Sequence, residues 1–156
     1  MRGGVKPVSA GRLRILSVMA AERRKGRGGR GGGRSGPAAD PGPPYVVLWH
    51  PAADAERDQS WPAQEKVAML HAAQKLEAAG PRLGHPHSSA VQGEPGQGLR
   101  ELRPRAGRSR WRPLYRRVSP STFVILAVAP EAQIDSRGYD AAVVRAAERF
   151  GQLEVD

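Results

Sequence analysis

Apolar residues along the chain change spacing from strand-like to helix-like and back, and the changes mark out elements. Tyr45-Val46-Val47-Leu48-Trp49 is a β-branched and aromatic run closed by Pro51, which predicts a first strand over 45–49. Ala52 to Asp58 follows as a short helix with polar exposure. Ser60 is placed to cap the next helix, with Trp61 behind it and Pro62 in the first turn, where a missing N–H has no partner to lose. From Pro62 to Ala79 the apolar positions Val67, Leu70, Ala73, Leu76 and Ala79 recur three apart, widened by Met69 and Ala72, and Gly80-Pro81 ends the helix.

Gly84 to Gly98 is turn-rich and mostly polar, and it predicts a loop. Three strand-like pieces come next. Leu99 to Arg103 alternates, with Leu99, Glu101 and Arg103 on one face and Arg100 and Leu102 on the other. Trp111 to Arg117 follows a turn at Ala106-Gly107-Arg108-Ser109, and Pro113 within it calls for an edge position or a bulge. Thr122 to Val128 is continuously apolar between Pro120 and Pro130, the pattern of a central strand covered on both sides. A last helix spans Asp140 to Phe150, its apolar stripe Val143, Ala147 and Phe150 with Val144 beside it, and Arg145 and Glu148 facing away. One sheet with helices against it is an α+β architecture.

Composition divides the chain in two. Residues 1–44 carry ten Lys/Arg, two acids and 11 of the 19 glycines, including the tract Arg23-Arg24-Lys25-Gly26-Arg27. Such a segment cannot bury enough apolar surface to offset the entropy of ordering it, so 1–44 is expected to be a disordered basic extension. Two readings of it stand: weak RNA binding through Arg-Gly charge, or translated upstream sequence without function, with Met19 as a later start. The apolar stretch Leu13 to Ala21 is interrupted by Arg14 and Ser17, so no export signal is expected. The folded domain is expected over 45–151, with 152–156 a short tail.

The chain has no cysteine, which excludes a disulfide framework, a Cys-rich zinc site and thiol catalysis. No apolar run approaches the ~20 residues that span a bilayer. A cytoplasmic location without membrane contact is expected. His71, His85 and His87 have no carboxylate cluster near them in sequence, so neither a metal nor a cofactor is expected.

Charge then concentrates in residues 98–117, which hold eight arginines and one glutamate. Guanidinium forks match phosphate oxygens, so arginine on adjacent strands suits a phosphate-reading or phosphate-cleaving site. Trp111 and Tyr115 in the same strand could stack on bases, or belong to the core. Glu101 could pair with Arg112 across the sheet. An acidic protein is the other partner that such a surface fits.

Leu76-Glu77-Ala78-Ala79-Gly80-Pro81-Arg82-Leu83-Gly84-His85-Pro86, then Gly93, Leu99-Arg100-Glu101-Leu102-Arg103 and Arg110-Trp111-Arg112-Pro113-Leu114-Tyr115-Arg116-Arg117 before an apolar strand form a combination. It resembles the HigB-like branch of the RelE/ParE toxin superfamily, phage-derived toxin-like proteins of type II toxin–antitoxin systems. The resemblance covers about residues 45–150. It implies a ribosome-dependent mRNA endoribonuclease that cuts without a metal, partnered by the translating ribosome, mRNA and a cognate helix-turn-helix antitoxin encoded nearby.

Carried over, Arg103 and Arg112 would be the phosphate-binding and transition-state groups. Arg100, Arg105, Arg108, Arg110, Arg116, Arg117 and Arg137 would supply further phosphate contacts. RNA can be cut by its own 2′-OH, so the protein must align that group, neutralise the phosphate and move protons. His87 and Tyr139 are the chosen proton-transfer candidates, with His85 and Glu101 beside them. Before the last helix, many members carry a phenylalanine and two or three lysines, where this chain has Glu131 and Asp135, then Arg137 and Tyr139. Acids facing the site would repel RNA. The alternatives are therefore a weak or inert protein of the same fold that binds an antitoxin or other partner, or a ParE-like toxin with a non-RNA target.

Overall fold

A computed structural model describes residues 44–59 and 62–153. The expected extension over residues 1–44, Met19 and the Leu13–Ala21 stretch included, lies outside them except for Pro44, as do Ser60, Trp61 and residues 154–156. In chain order the elements are β1 (Val46–Trp49), α1 (Pro51–Asp58), α2 (Ala63–Ala79), a 3₁₀ turn (Gly80–Arg82) and β2 (Ser88–Ala90). There follow β3 (Arg100–Leu102), a second tight turn (Pro104–Gly107), β4 (Trp111–Ser119), β5 (Thr122–Pro130) and α3 (Ser136–Gly151). The architecture is α+β, as the patterning predicts.

The sheet order is β1-β5-β4-β3-β2. β5 lies between β1, which runs parallel to it with Val46 opposite Thr122, and β4, its antiparallel hairpin partner. Its residues are buried along nearly the whole length, so the apolar run is a covered central strand. Pro113 sits opposite Val128, just past Leu114, the last β4 residue paired to β3. On that side β4 has no ladder for a proline to interrupt, and a register shift follows at Leu114/Tyr115.

Three expectations need correction. The Gly84–Gly98 segment is not all loop: Ser88–Ala90 pairs with β3 and makes a fifth strand. Serine and alanine over three residues give no apolar alternation to detect. On α2 the buried residues are Ala68, Met69, Ala72, Ala73 and Leu76, while Val67 and Leu70 are 49% and 42% exposed. A strict spacing of three drifts around a 3.6-residue helix, whereas the mixed three-and-four spacing of the buried set holds one face. Finally, α3 begins at Ser136 rather than Asp140, and its buried residues are Ala142, Val143 and Ala146, with Val144 43% exposed. The Asp135 carboxylate accepts from Gly138 N at 2.8 Å and starts the helix one turn earlier, over residues too polar to show in an apolar pattern.

Helix α2 starts at Ala63 with Pro62 at its cap position. Its alanines approach the sheet closely, and Leu76 packs with Leu102, Tyr115, Phe123 and Ile125. Gly80 ends it at φ +56, and a Cβ there would overlap the Tyr45 ring. Leu102 points to the α2 side, so by strand alternation Glu101 points to the other, where it meets Tyr139 of α3. The two helices therefore cover opposite faces. Among the described residues no helix is long and apolar enough to cross a membrane.

Candidate active site

Between the end of β3, the start of β4 and the first turn of α3 lies a cleft of about 630 Å³, lined by Ser89, Glu101, Arg103, Arg112, Glu131 and Tyr139 among others. Glu101 is its hub. One carboxylate oxygen accepts from Ser89 Oγ at 3.0 Å and Arg103 Nη1 at 3.2 Å, with Arg112 Nε at 4.0 Å. The other accepts from the Tyr139 hydroxyl at 2.8 Å. The pairing across the sheet to Arg112 is thus present but is the longest of these contacts.

Arg103 is fixed at its root and remains open at its head. Its backbone N–H donates to His87 O at 2.8 Å and its Nε to Pro86 O at 3.2 Å, yet the side chain is 24% exposed. Arg112 differs. Its side chain is 2% exposed, and its guanidinium donates to the carbonyls of Gly107 at 3.1 Å, Trp111 at 3.0 Å and Ser109. Glu131 stands 3.5 Å from Nη2. Burial, and then Arg103, push the Arg112 pKa down, while Glu131 and Glu101 oppose the fall.

One of the carbonyls that Arg112 gathers, that of Gly107, closes a turn with unusual backbone. Arg105 and Ala106 both have positive φ, 53° and 55°. L-residues rarely take that region, so the surroundings must hold it. Arg112 does so from inside, and Glu65 from α2 does so from outside, accepting from Arg105 and from Ser109 Oγ at 2.6 Å.

Tyr139 lies in the first turn of α3. Burial chiefly, then the hydrogen bond to Glu101, raise its pKa above the ordinary phenol value, so the hydroxyl keeps its proton. Asp140 also lines the cleft. Two arginines therefore face three carboxylates, Glu101, Glu131 and Asp140. Glu131 faces the site, whereas Asp135 serves as the cap of α3.

Of the expected site residues, Arg103, Arg112 and Tyr139 meet in this cleft. His87 does not: its Nδ1 faces Lys75 Nζ at 3.4 Å, and only its carbonyl reaches Arg103. His85 is exposed on the same loop. Arg105 pairs with Glu65, Arg108 Nε donates to Arg105 O at 3.1 Å, and Arg110 and Arg137 are exposed. Arg116 and Arg117 stand toward the other end of β4, near Arg100 of β3, which lies opposite Tyr115, so the arginine band is two groups rather than one surface. Tyr115 is 2% exposed with its hydroxyl 2.7 Å from Ser88 Oγ, so it is core and not a stacking platform. Ser89 and Glu65 were not legible as contributors, since neither lies in a chemical motif.

The family model described as phage-derived protein Gp49-like (DUF891) matches residues 59–150, well over half of the chain. The chain belongs to the Gp49-like family. The match begins just after α1, so it takes in every cleft residue of this Gp49-like protein and leaves out β1 and α1. Among solved structures, the toxin–antitoxin complex RelBE2 from Mycobacterium tuberculosis is similar at 24% identity, covering 56% of this chain and 99% of that one with a TM-score of 0.44. Among curated proteins nothing matches.

Proposed function

We propose that this Gp49-like protein is the toxin of a type II toxin–antitoxin pair and that it cleaves mRNA on translating ribosomes. The observation that carries the reading is the meeting of Glu101 and Arg103, from the end of β3, with Tyr139, from the first turn of α3, in one open cleft. A helix-turn-helix antitoxin is the partner that the sequence resemblance implies.

Arg103 binds the scissile phosphate and neutralises charge as it builds on the phosphate oxygens. Glu101 takes the proton from the 2′-OH as that oxygen bonds to phosphorus and the 5′-oxygen departs, leaving a cyclic phosphate and a free 5′-hydroxyl. Tyr139 gives the departing oxygen its proton, because that alkoxide is the stronger base. Glu101 then returns a proton to Tyr139 along their 2.8 Å hydrogen bond, and both groups are reset. Arg112 shapes the turn beside Arg103 and contributes its charge from behind.

The acidic balance of the cleft favours a second reading, a protein that keeps the fold and the antitoxin but has little nuclease activity. Primer extension on a defined mRNA in a purified translation reaction separates the two. With the full chain, cuts at ribosome-occupied codons that fall at least ~100-fold in Glu101→Gln and Arg103→Ala support the nuclease. No cuts by the folded wild type, or cuts that persist in both variants, reject it.

A further inference from the structure

At the far end of β4, about 13 Å along the strand from Arg112, a second concavity of about 360 Å³ opens beside the turn that follows α2. Arg82, Arg100, Arg116 and Arg117 line it, and no Asp or Glu does so among the described residues. None of the four forms an ion pair with a described carboxylate, whereas Arg103, Arg105, Arg112, Arg145 and Arg149 all do.

Neutral groups hold three of these arginines in place instead. Arg100 Nε donates to Ser88 Oγ at 3.1 Å, and Arg116 Nη1 to Gln97 O at 3.1 Å. Arg117 Nε donates to Ser119 O at 3.2 Å, and its Nη2 to Pro120 O. The Arg116 head also lies 4.0 Å over the Phe150 ring. Contacts of this kind fix direction without cancelling charge, and each guanidinium keeps N–H donors to spare. Gly98, at φ +83, leaves the room: a Cβ there would stand 2.8 Å from Arg116 Nη1.

The floor of the groove is Tyr115 and Phe123, both buried, so the low-dielectric wall concentrates the field. The same burial leaves neither of these rings open for a base to stack on or for a protein side chain to anchor against. Both features favour phosphates over bases or an acidic peptide.

We propose that this groove binds the sugar–phosphate backbone of an RNA duplex, independently of sequence and separately from the cleft. The choice of RNA over DNA rests on the reading of the cleft as an RNA site.

The test is anisotropy titration of a labelled RNA hairpin with the full chain across a salt series. Arg116→Gln with Arg117→Gln is compared with the wild type and with Arg57→Gln plus Arg145→Gln, which removes equal charge elsewhere. The groove variant is expected to bind at least ~10-fold more weakly and to lower the slope of log affinity against log salt by about 2. The control pair is expected to change affinity by no more than about twofold. Arg82→Gln, at an exposed position, gives a smaller loss in the same direction.

Equal affinities and slopes for groove variant and wild type would overturn the proposal, as would a loss seen only with poly-glutamate. Tighter binding of a DNA duplex of the same length would overturn the assignment to RNA. Hairpin binding does not depend on strand cleavage, so an inert cleft with an intact groove rejects only the nuclease.

Discussion

Arg112 and Arg117 stand five residues apart on β4. One is buried and gathers three backbone carbonyls with Glu131 against it, and the other is exposed and held by two carbonyls of the adjoining turn. A guanidinium withdrawn from water must have its donors satisfied, and it then acts as a scaffold whose charge is largely matched locally. At the surface the same group keeps its charge for a ligand. Arginine count along a strand therefore says little until each head is placed, and in the cleft it is Arg103 that retains a working head.

That contrast is broken most directly by truncation. Arg112→Ala leaves the carbonyls of Gly107, Ser109 and Trp111 without their donor and Glu131 without its partner, and should cost about 3–5 kcal/mol. Arg117→Ala should stay within about 0.5 kcal/mol. Urea unfolding of both variants measures the difference. A loss under about 1 kcal/mol for Arg112→Ala would mean that the strained turn at Arg105 and Ala106 holds itself, and that Arg112 is free for substrate.

A pair of glycines sharpens the comparison. Gly107 at φ +89 has Arg103 Nη2 2.6 Å from where a Cβ would stand, just as Gly98 has Arg116. Alanine at either position should cost about 1–3 kcal/mol through its backbone and displace the adjacent guanidinium. Gly107→Ala is expected to depress mRNA cleavage while hairpin affinity holds. Gly98→Ala is expected to do the reverse. If either variant lowers both, the two ends of β4 are one continuous site.

Much of the fold was legible because β5 is apolar without interruption and α2 is rich in helix formers, so patterning alone placed both. Strand β2 was not, since its pairing with β3 rests on backbone hydrogen bonds that any residue can make. The cleft was half legible. The spacing of Arg103 and Arg112 pointed to them, but burial decides what an arginine does, and the opposite fates of Arg112 and Arg103 depend on a turn whose positive φ values belong to non-glycine residues. Tyr139 was named by its place before the last helix. Its partnership with Glu101 joins residues 38 apart and is settled only when α3 crosses the sheet. The separation of Arg116 from Arg112 follows from strand length, yet along the sequence both belonged to one band.

A smaller effect bears on why the groove end is ordered at all. The Arg116 guanidinium lies 4.0 Å over the centre of the Phe150 ring, which helps to hold the head at the groove. Stacking of this kind contributes about 0.5–1 kcal/mol at a surface site. Phe150→Leu keeps apolar bulk but removes the ring face, so Arg116 would have to be ordered when RNA binds. Hairpin affinity should fall by about two- to fivefold, the equivalent of that energy. The salt slope should not move, because the number of cations is unchanged. A fall in slope would show that losing the ring carries Arg116 out of the groove altogether. A rise in affinity would reverse the assignment: the ring would then be holding Arg116 back from the RNA, and the groove would be built from the other three arginines.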